Sequence, residues 1–510
     1  MGHAVILTVD VGTSSTKSAL WSERGEVIGE SSITYPLNRP SPISAEIDAQ
    51  IWWRAVCTAT RLIFESSSVD PSEVAGIGVD GVGWTMVPVD ANVMPLFPAL
   101  IWLDRRAQIE SNWLARLDDA DQLIRLCGNP IDPAYITPKL LWLKHHHSAI
   151  FDRTFKFLTC SGYIVAKLTG EFTCDFTQAY GYHFFDIANE SWDSAAANLV
   201  GVPYEKLPSL FAPSTIIGKL ISPAAEELGL PAGIPVIAGG LDAAFGALGA
   251  GVTHVGQTND QGGQAGGMGM SVDRIIVEPK LIFSHHVLGG QYLLQSGTVG
   301  GGSLNWFREI IGRKSTMPFA TYSTLAETSS LGANGLIFIP YMAGERTPIW
   351  NTNARGVFFG LSYSTTRADM VRAIMEGCAF AVYHNLLIAE AKGVRVLEWL
   401  GSGGATQSAV WCQIKADISN RPFVVARMPN GKEGGHLLGL FAVTATAVGL
   451  VKHAGSAVDE VLTQRTVFTP SSDRHTLYQG YFSVYAKLVQ KLLVDFERLA
   501  DITSRPLSLV

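Results

Sequence analysis

The chain opens on an apolar run, Ala4–Val9, that ends at Asp10 and a turn of small residues, Gly12-Thr13-Ser14-Ser15. A short continuous run of this kind predicts a strand buried on both faces. The β-rich stretch Ser18-Ala-Leu-Trp21 predicts a second strand returning from the turn. Helical spacing of apolar positions then predicts helices around 48–66, 108–117 and 135–146, with a strand over 74–79 after the first of them. Strands and turns are expected over 155–181. The strand Ile234–Ala238 leads into Gly239-Gly240-Leu241-Asp242, and a helix of small residues is expected over Ala243–Gly251.

The same grammar then restarts. A glycine-dense stretch, Gln257–Met270, precedes a strand at Gln291–Gln295, and Gly297–Ser303 opens a helix over Leu304–Ile311. Later, Gly401-Ser-Gly-Gly-Ala405 follows the strand Val396–Leu400, and Glu433-Gly-Gly-His436 opens an uncharged segment ending at Val451. Each half reads as a glycine-turn hairpin followed by strands alternating with helices, which predicts α/β architecture. Single cores stop growing near ~250–300 residues, so 510 residues imply at least two domains, divided here as 1–250 and 251–510. Ligands in such folds gather where loops meet at strand ends, here between the halves.

Charge and composition narrow the partners. A net charge of −7 gives no basic footprint for nucleic acid, and a polyanionic substrate must be held by local donors and metal. The six scattered cysteines form no CxxC pair, which predicts buried thiols in a reducing cytoplasm. The N-terminal apolar run is too short for a signal peptide. The segment 434–451 is rich in Gly, Ala and Thr and is expected as a helix buried in protein, with no membrane insertion. Consecutive helical residues point in different directions, so His145-His146-His147 is expected at the surface.

The chemistry lies in the turns. Gly12 lets backbone approach an anion, Thr13, Ser14 and Ser15 offer donors, and Asp10 supplies the carboxylate that a phosphate-bound Mg²⁺ wants as an outer partner. Asp242 stands alone at a strand end, where a carboxylate is costly unless it is solvated, paired or put to use. A helix-capping role competes with a catalytic one there. Two carboxylates and several phosphate-friendly turns across two α/β halves are the parts of phosphoryl transfer in a closing cleft. No P-loop and no protein-kinase HRD or DFG set is present.

On these residues the chain resembles the FGGY carbohydrate kinases over nearly its whole length, and its motifs are most similar to those of the xylulokinases. Asp10-Val-Gly-Thr-Ser-Ser-Thr-Lys17 resembles the family's DxGTxxxK loop, Trp102-Leu-Asp104-Arg-Arg106 its W-x-D-x-R segment, and Leu168–Asp175 its TGE…D stretch. Gly344-Glu-Arg-Thr-Pro348, Gly356–Leu361 with Asp369–Glu376, and the glycines of Ser402–Ala405 resemble its C-terminal signatures. The resemblance implies two ribonuclease-H-like domains, as in actin and hexokinase, with ATP and Mg²⁺ in the cleft, a sugar hydroxyl as acceptor, and a homodimer. It implies that Asp242 is the catalytic base and Asp10 the metal-side carboxylate, acting on Mg²⁺ through water. Phosphate and nucleotide contacts are implied at Gly12, Thr13, Ser14, Lys17, Gly263, Gln264, Gly266, Gly300, Gly403, Gly404 and Ala405. Acceptor contacts are implied at Gly83, Trp84, Trp102, Asp104, Asp242 and Ala243. D-Xylulose is the first choice of acceptor; another ketopentose, a deoxy-sugar or a polyol is the rival. Asp242 is expected near its ordinary pKa of ~4, a weak base that takes its proton late and is worth ~10²–10⁴-fold.

Three positions depart from the pattern. Trp84 stands where xylulokinases carry a histidine, and the expectation is either sugar stacking or core packing, with Asp80 supplying the missing polar contact. Ala243 replaces an amide that binds sugar, and Gly263-Gln264-Ala265-Gly266 replaces GTSG, leaving backbone amides to cradle phosphate. A nucleotide-binding regulator without transfer activity is the competing function class. Retention of Asp10, Thr13, Lys17 and Asp242 favours the enzyme.

Overall fold

The computed structural model describes residues 4–263, 265–311 and 318–504. Two seven-stranded sheets organise it. The first runs in the order Ile216–Lys219, Pro235–Ile237, Val74–Gly81, Val5–Val11, Ser15–Ser22, Val27–Thr34, with Gly240–Leu241 also paired to Val74–Gly81. The second runs Ile282–His285, Tyr292–Val299, Ala265–Val272, Gln257–Gln261, Glu398–Ser402, Phe423–Arg427, Gln464–Phe468. In both, three antiparallel strands make a meander and two further strands lie parallel to its first arm. The shared order is the ribonuclease-H-like arrangement, present twice, and it bears out the expected fold class.

The opening strand shows why its sequence is apolar throughout. Side chains alternate across a strand. Val5, Leu7, Val9 and Val11 face one core with Trp52 and Val56 of the helix Ala49–Ser66. Ile6 faces a second core with Trp21 and the helix Gly435–Ala447, where Trp21 stacks on Phe441. Asp10 therefore shares the face of Ile6, and its register partner on Val74–Gly81 is Asp80.

The uncharged segment forms the helix Gly435–Ala447, buried between the first sheet and the helix Asp242–Gly249. No helix of the described residues is long and apolar enough to cross a membrane. The two helices cross through glycine: an added Cβ on Gly249 would sit inside the Gly435 carbonyl oxygen, and one on Gly439 inside that of Phe245. Gly76 and Gly78 likewise make room for Val448 and Thr444.

Within 155–181 the expected strands form at Lys156–Leu158 and Thr173–Asp175, but a helix and not a turn lies between them. Cys160–Thr169 is a helix, capped by Thr159 accepting from the Gly162 N–H at 3.2 Å. Its residues are buried nearly all round, so no polar face marks a helical period, and Tyr163, Ile164 and Val165 read locally as strand. All six cysteines are free thiols. His145 and His146 are half exposed beside Glu110, as expected of surface residues.

Candidate active site

Strand ends and helix starts bring four ionisable side chains together. Asp10 is the next-to-last residue of the first strand, and Asp80 lies beside it in register. Asp242 is the first residue of the helix that follows Gly240–Leu241, and His436 lies in the first turn of the helix that crosses it. His436 Nδ1 stands 3.5 Å from Asp10 Oδ2, with the ring about a third (37%) exposed. Gly246 leaves the ring its space, since a Cβ there would meet His436 Cδ2.

Electrostatics sorts these groups. Burial alone would raise the Asp10 carboxyl, but the hydrogen bond and charge of His436, with the charge of Lys17 opposite in the hairpin, hold it below the usual range. Burial also works against charge on His436, and the Asp10 bond and the Asp10 and Asp242 charges reverse it, so the imidazolium is favoured. Asp80 is fully buried, and burial with the charges of Asp10 and Asp242 pushes it well above the usual carboxylate range. Among the described residues neither Asp80 oxygen has a hydrogen-bond partner, and its effect on the neighbouring Asp10 is to help hold that carboxyl low. Asp80, expected to supply a polar contact to the acceptor, is thus placed beside Asp10 with no exposed surface.

Asp242 differs from the expectation of an ordinary carboxylate. Burial raises it to about 6, with the Asp10 charge adding and His436 opposing. Nor is it an N-cap: that position is Leu241, and among the described residues Asp242 Oδ1 accepts only the adjoining Ala243 N–H, at 2.6 Å. A carboxylate with one protein hydrogen bond and a pKa near 6 is a stronger base than the sequence suggests, and it is still ionised at neutral pH.

The glycine turns of the second sheet converge. An added Cβ on Gly262 would lie 2.6 Å from Ala405 Cβ, one on Gly300 2.7 Å from the Gly266 N, and one on Gly403 2.8 Å from the Gly262 carbonyl carbon. Three loops far apart in sequence thus form one backbone cradle that side chains would fill. Glu433 ties it to the crossing helix, accepting from the Gly403 N–H at 2.5 Å and from the Thr406 hydroxyl. Gly404 faces open space. Gln264 lies outside the described residues.

An aromatic pocket adjoins the first sheet. Trp84 is only 4% exposed, packed on Tyr135 at 4.4 Å between ring centroids and edge-on to Tyr180 at 6.3 Å. Core packing therefore accounts for most of its surface. Gly83 sits against Leu241, and Ala243 is half-buried beside Asp242. Trp102 Nε1 donates to Thr13 Oγ1 at 3.1 Å, joining the pocket to the first turn, where Ser14 and Lys17 are exposed. Asp104, expected at the acceptor, is fully buried, and its oxygens accept from the Ala45 N–H and from Arg106. Lys139 pins the pocket from beneath, donating to the carbonyls of Trp84 (2.7 Å), Ile101 (2.8 Å) and Ala134 (2.6 Å), with burial lowering it to about 7. From the other half, Arg346 stacks over Trp102 at 4.8 Å and lies 5.8 Å from the Trp84 ring.

Sequence reasoning gave no role to His436, Lys139 or Arg346. Each carried a signal: a charged or titratable side chain inside an otherwise apolar or glycine-rich stretch, which is costly unless paired.

A duplicated ribonuclease-H-like fold, with paired acids on one sheet and a glycine cradle on the other, defines a phosphotransferase-type ATPase architecture. Comparison with known proteins makes this specific. Residues 5–249 match the N-terminal domain and residues 277–443 the C-terminal domain of the FGGY family of carbohydrate kinases, and the chain belongs to that family. It is 31% identical over 494 residues to a xylulose kinase of Staphylococcus epidermidis, covering 96% of this chain and 97% of that one. It is 27% identical over 512 residues to a gluconokinase of Bacillus subtilis, covering 97% and 98%. The crystal structure of a ligand-bound xylulose kinase from Lactobacillus acidophilus superposes with a TM-score of 0.90 at 25% identity, over 97% of this chain and 100% of that one. The protein is a sugar kinase.

Proposed function

We propose that the chain transfers the γ-phosphoryl group of ATP to a hydroxyl of a ketopentose, D-xylulose first among the candidates, giving D-xylulose 5-phosphate. The observation that carries this is Asp242: an ionised, nearly unengaged carboxylate beside the aromatic pocket and near the Asp10 turn. The acceptor is assigned to the pocket of Gly83, Trp84, Trp102 and Ala243, with Asp242 at its floor. The nucleotide is assigned to the cradle of Gly263, Gly266, Gly300 and Gly403–Ala405, joined by Gln264, with its phosphates reaching Gly12, Thr13, Ser14 and Lys17. The N-terminal domain, 1–250, is thus the sugar side and the C-terminal domain, 251–510, the nucleotide side.

Asp10 fits an outer carboxylate for Mg²⁺, held through water, because the hydrogen bond and charge of His436 and the charge of Lys17 favour its anionic form. When bound, Mg²⁺ would neutralise the phosphate charge. Asp242 aligns the acceptor hydroxyl and takes its proton as the new O–P bond forms. The bond from γ-phosphorus to the bridging oxygen breaks, and ADP leaves. Packed aromatic rings limit water, the small competing nucleophile.

Kinship to a gluconokinase at 27% identity supports a second reading, an aldonate acceptor in the same pocket. Acceptor-dependent ADP release across D-xylulose, D-ribulose, gluconate, erythritol and xylitol tests both. The account expects turnover with D-xylulose and kcat/KM half-maximal near pH 6, lost below it as Asp242 is protonated and flat above. Nucleotide binding with no acceptor-dependent turnover would favour the regulator.

A further inference from the structure

Arg346 is the charged group of the pocket with the least to do. It lies in the turn Gly344–Trp350, which the second half projects against the aromatic residues of the first. Among the described residues, no side chain or carbonyl takes a hydrogen bond from its guanidinium, while its main-chain N–H donates to Glu345 Oε1 at 2.9 Å. Trp102 covers a face of the group at 4.8 Å, and Trp84 stands 5.8 Å away. The charges of Asp242 and Arg346 both act on the buried Tyr180 hydroxyl, which packs edge-on to Trp84. Space is reserved for the group as well: a Cβ on Gly297 would stand 2.5 Å from Arg346 Nη2.

A guanidinium stacked on an indole keeps its in-plane N–H edge free. That edge is a planar fork of donors, matched by the lone pairs of an sp² oxygen and poorly by a hydroxyl that must also donate. We propose that Arg346 is the specificity-determining residue for the acceptor. Its free edge binds the sp² oxygen, ketone or carboxylate, of a polyhydroxylated chain whose hydroxyl further along meets Asp242. This rests on the sugar-kinase reading above and names the functional group that reading leaves open.

The test compares each sp² acceptor with its matching alditol: D-xylulose with xylitol, and gluconate with glucitol. Wild type is expected to prefer one sp² member by at least roughly tenfold in kcat/KM, and the pair that shows the preference separates ketone from carboxylate. Arg346→Met, which keeps the aliphatic stem over Trp102, should raise KM for that acceptor roughly 10–100-fold, leaving the alditol and KM for ATP nearly unchanged. Arg346→Lys should fall between, keeping charge without the fork. A preference that survives in Arg346→Met, or a wild type that prefers alditols, overturns the proposal. Quenching of tryptophan fluorescence by the same four compounds reads binding without turnover. Arg346-dependent binding with no ADP release would defeat the kinase reading and leave this proposal standing. Turnover with unaltered selectivity would do the reverse.

Discussion

Asp242→Asn is expected to lower kcat ~10²–10⁴-fold, roughly 3–5.5 kcal/mol of barrier, with KM for ATP little changed. The substitution is close to isosteric. Its amide oxygen can still accept the Ala243 N–H, the one protein hydrogen bond Asp242 makes among the described residues, so the folded state should survive intact. What is lost is the acceptor for the hydroxyl proton and a negative charge beside Asp10, Asp80 and His436. The acid limb near pH 6 should vanish with it, since the group that titrates there is gone. Single-turnover ADP formation and a pH profile, with circular dichroism as the fold control, measure all three. A variant with full activity, or one with the limb unmoved, would remove Asp242 from the chemistry.

Gly249→Ala is expected to destabilise the protein by about 1–3 kcal/mol, the usual cost of forcing a methyl into packed surroundings. Alanine is the better helix former by about 1 kcal/mol, so a loss of stability can come only from the crossing with Gly435. The crossing helices also carry Asp242 and His436, so the same change should lower kcat by moving one against the other. Gly480 supplies the contrast. It lies exposed in the helix Ser472–Ser504 with nothing within 4 Å of an added Cβ, and Gly480→Ala should stabilise by about 0.5–1 kcal/mol. Denaturant titration of the two variants checks the opposite signs.

Local patterns were legible where they act locally. The strand before Asp10, the helix over 49–66 and the strand before Asp242 follow from apolar runs and turn residues within a few positions. The repeated grammar of the two halves marks two α/β units of similar logic, and the duplicated ribonuclease-H-like order within them is what the family resemblance implies. What escaped depends on tertiary surroundings. The helix Cys160–Thr169 has no polar face to reveal its period. Asp104 matches a motif, but that its oxygens accept from the Ala45 N–H, fifty-nine positions away, and from Arg106 is visible only in the fold. The raised pKa of Asp242 comes from burial and from Asp10, which is over two hundred positions away in the chain. His436 and Arg346 reach the site from the other half, across a distance no sequence window spans.

The chemistry turns on where the acceptor hydroxyl lands. A crystal structure with a non-hydrolysable ATP analogue, Mg²⁺ and the preferred acceptor measures it directly. The expected result is an acceptor oxygen ~2.6–3.2 Å from the Asp242 carboxylate and in line with the γ-phosphorus. An acceptor bound with its hydroxyls turned from Asp242, or a γ-phosphate held away from the Asp10 turn with the halves closed, would contradict it.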